Sequence, residues 1–430
     1  MLGFAVMFVQ AQWTPFKLKP LNGFTPVTEK PSLTLADFAS GNYQSNLEQY
    51  LSEHFGFREF FIRCYNQLSY SCFRFITNEN VIEGADHELF LRWYFDDRFG
   101  DMLTGYYSSV DEAKADAQNN IRETLRLIDT LQSHGSHFLF IFAPTKPAVY
   151  PEKLPQRYRD RVPNFSLEEY YIELFKENNI PHIDFYSYFQ TIKDTVSYPL
   201  YARTGTHWAE WTITFVVDSI YRKIESLTGY RMPNIEVVDE NCTKEYLDID
   251  KELEYNMNLL FPYPKPALPN PVWALTDTLE TDRPNLLITG DSYGGQLVAT
   301  IFAKAFNNWD LWSYNETMYS SRKRFNWFKL SHEFQAWRVL EEADIVMALF
   351  TSPNYYNYML GFPQIAQELY EKGYFKEDEA IGIVKETILN DSAWYASVVE
   401  QANALNLNVE DCLESNARYF LDHLKEGSSF

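Results

Sequence analysis

Cysteine is scarce in this chain of 430 residues: Cys64, Cys72, Cys242 and Cys412 are the only four, and none stands in a C-x-x-C spacing. Neither a zinc ribbon nor a thioredoxin-type redox site is therefore signalled. Cys64 and Cys72 fall in one predicted helix, which sets them about 12 Å apart, beyond disulfide reach. Both are read as buried thiols. Positive charge is also short, with 37 Lys and Arg against 59 Asp and Glu for a formal net charge of −22. Such a surface repels phosphate backbones and anionic membranes, which argues against nucleic acid as a partner. Long apolar runs are missing too. The uncharged opening stretch Met1 to Gln12 (MLGFAVMFVQAQ) falls short of the roughly 18 residues that a bilayer span needs. It reads either as the end of a signal peptide or N-terminal anchor, with small-residue character near Val9-Gln10-Ala11, or as a frayed apolar terminus. There is no internal repeat and no low-complexity tract.

What is present excludes intrinsic disorder: 46% of residues are hydrophobic and 22% charged, the balance of a folded globular protein. Aromatic residues make up 17%, which suits ring-stacking on sugars and equally suits a tightly packed core. Pro15, Pro20, Pro26 and Pro31 make residues 13–35 an extended tether. From Leu33 to Phe75 apolar positions recur at helical spacing, with Gly56 punctuating two helices, and Asn80 to Phe90 alternates as a hairpin does. Val110 to Ser133 is an amphipathic helix. The pattern then changes to short apolar runs, His137–Ala143, Ile180–Phe185, Asn285–Thr289 and Asp344–Phe350, divided by helices. Buried strands alternating with helices predict an α/β fold, a doubly wound parallel sheet covered on both faces. Residues 235–284, rich in proline, are expected to form an irregular insertion. From Ile365 to Leu424 amphipathic helices return, interrupted near Asn390-Asp391 and Asn406-Leu407-Asn408.

In such folds ligands bind beyond the carboxyl ends of the strands, which directs attention to Pro144-Thr145-Lys146, Gly290-Asp291-Ser292-Tyr293 and Thr351-Ser352-Pro353-Asn354. Ser292 stands at a strand-to-helix turn, where its hydroxyl is exposed and free helix N–H groups supply oxyanion donors. Ser and Asp are also ordinary helix N-caps, so the turn alone admits both readings. His207, in YARTGTHWAEW, lies in a small-residue turn just before a helix, and is either a general base toward a serine or a packed helix-start histidine. Lys146 is placed to contact an anionic sugar or an acyl-donor oxygen, or to be a solvated surface lysine. Asn354 is placed to donate to an oxyanion, or to serve as a turn residue. Asp291, Tyr293 and Thr145 complete the candidate list, while Tyr314 and Trp312 are read as a sugar-stacking rim or as core.

The pairing of T-H-W around His207 with G-D-S around Ser292 resembles the SGNH-hydrolase-like domain of the alginate O-acetyltransferase-like family, extracytoplasmic enzymes that modify exported polysaccharides. Other stretches match in order: NYQSNLEQYLSEHFGFREFFIRCYNQLSYSCF (42–73), VIEGADHELF (81–90), APTKPAVYPEKLP (143–155) and ADIVMALFTSPN (343–354). The likeness spans roughly residues 33–365, leaving 1–32 as anchor remnant and linker and 366–430 as a helical appendage. It implies Ser292 as nucleophile and His207 as base. It further implies no metal or other cofactor, a polysaccharide acceptor, and a membrane-bound O-acyltransferase as acyl source. The family's acidic position two before the histidine is here Gly205. A carboxylate from elsewhere (Glu210, Asp218 or Asp184) replaces it, a backbone carbonyl orients His207, or the site is weakened to a binding pocket. The expectation is O-acyl transfer, with a carbohydrate acetylesterase or a non-catalytic glycan-binding protein as alternatives.

Overall fold

Alternation along the buried runs decides which side chains go to which face. In the computed structural model, which describes residues 2–23, 28–161, 165–277, 283–321, 329–372 and 377–425, Phe138, Phe140 and Phe142 point into one core and Leu139, Ile141 and Ala143 into another. The described part of the tether is without regular structure; Pro26 lies outside the described residues. Helices Leu35–Ser40, Asn42–Glu53 and Arg58–Phe73 lead to a hairpin of β1 (Val81–Glu83) and β2 (Leu89–Leu91), antiparallel as the alternation predicts. The remaining strands are β3 (His137–Ala143), β4 (His182–Asp184), β5 (Asn234–Thr243), β6 (Leu268–Thr276), β7 (Leu286–Gly290), β8 (Trp309–Ser313), β9 (Thr317–Ser320) and β10 (Ile345–Thr351).

Six of them form one sheet in the order β4-β3-β10-β7-β8-β9. All neighbours pair in parallel except β8 with β9. The predicted parallel sheet is thus present with an antiparallel edge strand that the sequence reading did not contain. Helices Val110–Ser133, Leu167–Glu177 and Phe362–Lys372 cover one face, and Phe185–Ile192, Ile213–Thr228 and Ser292–Val298 the other. This is the expected doubly wound α/β arrangement. The close approach of β7 and β10 needs a glycine: a Cβ on Gly290 would sit 2.5 Å from the Leu349 carbonyl oxygen.

Two expectations are corrected. Residues 235–284 are not merely irregular, because β5 and β6 pair over Asn234–Thr243, with Pro269 opposite Cys242 and Pro271 opposite Glu240. A two-stranded ribbon has an outer edge, so a proline there removes no ladder hydrogen bond. Cys64 is only half-buried and Cys72 exposed, since the Arg58–Phe73 helix turns Asn66, Ser69 and Tyr70 inward instead. The apolar positions of that helix therefore face outward, with Leu68 59% exposed. Downstream of the sheet, helices Glu377–Asn390, Ser392–Leu405 and Val409–Lys425 break where the Asn-rich interruptions stand, and pack around their own core of Ile381, Val384, Ile388 and Leu413. No described helix is long and apolar enough to cross a membrane.

Candidate active site

The strand β7 ends at Gly290 and the chain turns at once into the helix Ser292–Val298, capped by the Asp291 carboxylate on the Tyr293 amide. That turn lifts Ser292 to the carboxyl edge of the sheet, partly open to solvent. His207 comes from the irregular segment after the Phe185–Ile192 helix and is buried, with its Nε2 2.8 Å from Ser292 Oγ. Its Nδ1 lies 2.9 Å from Glu252 Oε2. A carboxylate can only accept, so the Nδ1–H donates to Glu252, Nε2 is left as an acceptor, and the serine hydroxyl donates to it. Thr206 reinforces the arrangement by donating its hydroxyl (2.5 Å) and its amide (3.3 Å) to the same Glu252 oxygen. Burial pushes the Glu252 carboxyl up, but His207 and both Thr206 bonds outweigh it and hold the group below the usual carboxylate value.

Glu252 opens the short helix Glu252–Met257, which the backbone staples to the histidine segment: Leu253 N–H donates to Thr204 O (2.9 Å), and the Thr204 hydroxyl donates to Asp250 O (2.7 Å). It is the third member that the Gly205 reading left open, and it is none of the residues expected. Asp218 pairs with Arg222, Asp184 caps the Phe185–Ile192 helix and pairs with Lys176, and Glu210 is turned toward Gln296 and Asp250. The only sequence signal was the acidic run Asp248, Asp250, Glu252, Glu254 inside a segment read as irregular. Nothing in its spacing distinguishes Glu252 from its neighbours.

Tyr293 and Gln296, one turn apart on the serine helix, grip the histidine segment on either side of His207. The Tyr293 hydroxyl donates to Thr206 O (2.9 Å) and the Gln296 amide to Trp208 O (3.0 Å). The Tyr293 ring also packs on the imidazole with centroids 4.5 Å apart. Ser292 and His207 are therefore tied together through one element as well as through their own bond.

The other candidates take different places from those expected. Lys146 is neither solvated nor open to a substrate. It is 1% exposed, donates to the carbonyls of Leu89, Ala202, Arg203 and Gly205, and pairs with Glu88 at 2.8 Å. Burial pulls its pKa down, against the opposing pull of Glu88. Asn354 gives its amide to Asp291 (2.8 Å) and Thr351 (3.2 Å), which leaves no proton for an oxyanion. Asp291 itself accepts from Tyr293 N, Thr351 N, Thr351 Oγ1 and Asn354, bracing β7 against β10. Its carboxyl is pushed up by burial despite those bonds. Thr145 is buried and lines a neighbouring cavity rather than the Ser292 site. Trp312 packs in the core against Phe362, whereas Tyr314 is 40% exposed and lies close enough to the Ser292 hydroxyl and amide for them to pull its phenol down against the upward push of burial. Among the described residues no group of three or more side chains could hold a metal ion.

Residues 81–241 match the family described as the SGNH hydrolase-like domain of the acetyltransferase AlgX. The matched segment contains His207 and Lys146 and ends before Glu252 and Ser292. No curated protein matches the chain significantly. Among solved structures, the O-acetyltransferase domain of Pseudomonas putida AlgJ is 19% identical with a TM-score of 0.42, covering 68% of this chain and 99% of its own. Pseudomonas aeruginosa AlgX is 14% identical with a TM-score of 0.41, over 66% and 67% respectively. Bacillus cereus PatB1 with a sulfonyl adduct is 11% identical with a TM-score of 0.38, over 58% and 93%.

Proposed function

Because residues 81–241 are an SGNH-hydrolase-like segment of the alginate O-acetyltransferase-like family, we propose that this protein transfers an O-acyl group, acetyl by family resemblance, onto an extracytoplasmic polysaccharide through an acyl-serine. The single observation that carries the reading is the unbroken chain Glu252–His207–Ser292, with links of 2.9 and 2.8 Å. Ser292 Oγ attacks the acyl carbonyl while its proton passes to His207 Nε2. Glu252 holds the ring in the tautomer that can accept that proton and stabilises the imidazolium that results. The donors we assign to the developing oxyanion are the Ser292 amide, at the start of its helix, and the nearby Tyr314 phenol. The imidazolium returns its proton to the departing donor group, leaving acyl-Ser292. A sugar hydroxyl then enters, gives its proton to Nε2 and attacks the acyl carbon, and the proton is handed to Ser292 Oγ as the ester forms. By resemblance the acyl donor is supplied by a membrane-bound O-acyltransferase.

The test is intact-mass analysis after brief exposure to nitrophenyl acetate. Wild type is expected to gain one acetyl group on Ser292, and Ser292→Ala none. Uptake by Ser292→Ala at the wild-type rate would overturn the nucleophile assignment. Adding a glycan acceptor then separates transfer from hydrolysis: a carbohydrate esterase releases acetate at a rate the acceptor does not change.

A further inference from the structure

Next to the Ser292 site, a second cavity of about 460 Å³ opens at the same edge of the sheet. Thr145, two residues past β3, and Ser352, directly after β10, stand in its wall together with Asp97 and the start of the Leu167–Glu177 helix. Glu168 on that helix is only 5% exposed, and its Oε1 has no hydrogen-bond partner among the described residues. A buried polar atom left unpaired costs about 1–3 kcal/mol, and the carboxyl that carries it lines the cavity. Burial and the nearby Asp97 push its pKa well up. Protonated, it offers one donor and one acceptor, the complement of a hydroxyl.

The surrounding groups narrow the ligand. Glu169 and Glu173 join Asp97 and Glu168, so carboxyls outnumber the two cations, Arg98 and Lys114. That balance disfavours an anion. The Lys114 ammonium lies over the rings of Phe165 (5.5 Å) and Tyr170 (5.6 Å), and the Asp97 carboxylate accepts from the Ser352 hydroxyl. Burial disfavours the charged form of Glu168, which counts against a cation. The cavity also shares a frame with the catalytic serine: Thr351 holds Asp291, and the next residue, Ser352, holds Asp97. β10 is the one strand between β3 and β7, so their carboxyl ends lie about 10 Å apart.

We infer that this cavity is a saccharide subsite that seats an uncharged sugar ring of the acceptor chain while a neighbouring ring is presented to Ser292. That the ring belongs to an acceptor rests on the function proposed above; the subsite itself does not. The experiment is saturation-transfer NMR on full-length Ser292→Ala protein with methyl glycosides of glucose, galactose and mannose, and with glucosamine and glucuronate as charged counterparts. At least one neutral glycoside is expected to bind saturably. Glu168→Gln, which mimics the protonated acid, should hold affinity within about threefold, whereas Glu168→Leu should weaken it about tenfold or more, the loss expected of a buried hydrogen-bonded pair. The leucine variant should melt no lower than its parent, because it removes an unsatisfied buried group. A purely structural Glu168 would move the melting temperature and spare binding. Absence of saturable binding by any neutral glycoside, binding of glucosamine or glucuronate alone, or equal binding by Glu168→Leu would overturn the inference. Acetyl-serine formation by wild type reports separately: if it fails while neutral sugars bind, the catalytic reading falls and the subsite stands.

Discussion

Glu252 and Gly205 divide between them what a single residue would otherwise do. The carboxylate that orients His207 arrives from a helix start 45 positions further along, and the position two before the histidine is left without a side chain. The space there is already filled: a Cβ on Gly205 would lie 3.1 Å from Ile249 O and 3.2 Å from Asp250 Cα. An aspartate at 205 would therefore push against the very backbone that delivers Glu252, and would set a second negative charge beside it. Gly205→Asp is therefore expected to lower esterase activity. Glu252→Gln keeps the shape but cannot impose the right tautomer, so kcat should fall about 10²- to 10⁴-fold with the fold intact. Stopped-time hydrolysis of nitrophenyl acetate, with circular dichroism as the folding control, checks both. Wild-type turnover by Glu252→Gln would remove Glu252 from the mechanism.

At the scale of elements, the histidine segment has little regular structure of its own. It is an irregular stretch between two helices, closed by its own bridge between Tyr201 and Trp208 and fixed by groups that reach it from three directions: the serine helix through Tyr293 and Gln296, the Glu252 helix through Leu253, and Lys146 from beyond the end of β3. Lys146 binds three carbonyls of the segment and one of the β2 hairpin at once. Removing its charge strands Glu88 and takes a donor from those carbonyls, of which Ala202 and Arg203 keep backbone bonds from Gly205 and Leu89. Lys146→Met is accordingly expected to destabilise the protein by about 3–5 kcal/mol and to reduce activity by releasing His207. Urea unfolding measures the first effect. A loss under about 1 kcal/mol would mean that the ammonium contributes no more than a surface pair does.

For the whole molecule, buried acids set the pH range of stability. Burial raises Asp250 to about 7, with Glu210 and Glu252 adding to the shift and Lys146 opposing it; burial likewise raises Asp97 to about 6. A raised carboxyl prefers its neutral form in the fold, so its stabilising contribution is complete below the unfolded value near 4 and is lost as pH climbs to the folded value. For Asp250 the slope approaches about 1.4 kcal/mol per pH unit through that window and vanishes above it. Glu252 runs the other way, because its depressed carboxyl contributes stability that disappears in acid. Asp250→Asn is expected to raise stability at pH 8 and to change it little at pH 4, by urea unfolding at both. An equal effect at the two pH values would show that Asp250 is not neutral in the fold. The sequence by itself determined the α/β class, the strands β3, β7 and β10 nearly to the residue, and the breaks among the last three helices. These follow from side-chain periods of 2 and 3.6 that neighbouring residues impose without outside help. It also singled out Ser292 and His207, because a strand-to-helix turn and a small-residue turn are local shapes. Only the tertiary structure decided which carboxylate faces the imidazole, that Lys146 and Asn354 hold the frame rather than face a substrate, and that Glu168 lines a cavity. Those are questions of which distant groups fill one buried space, and a period along the chain carries no record of it.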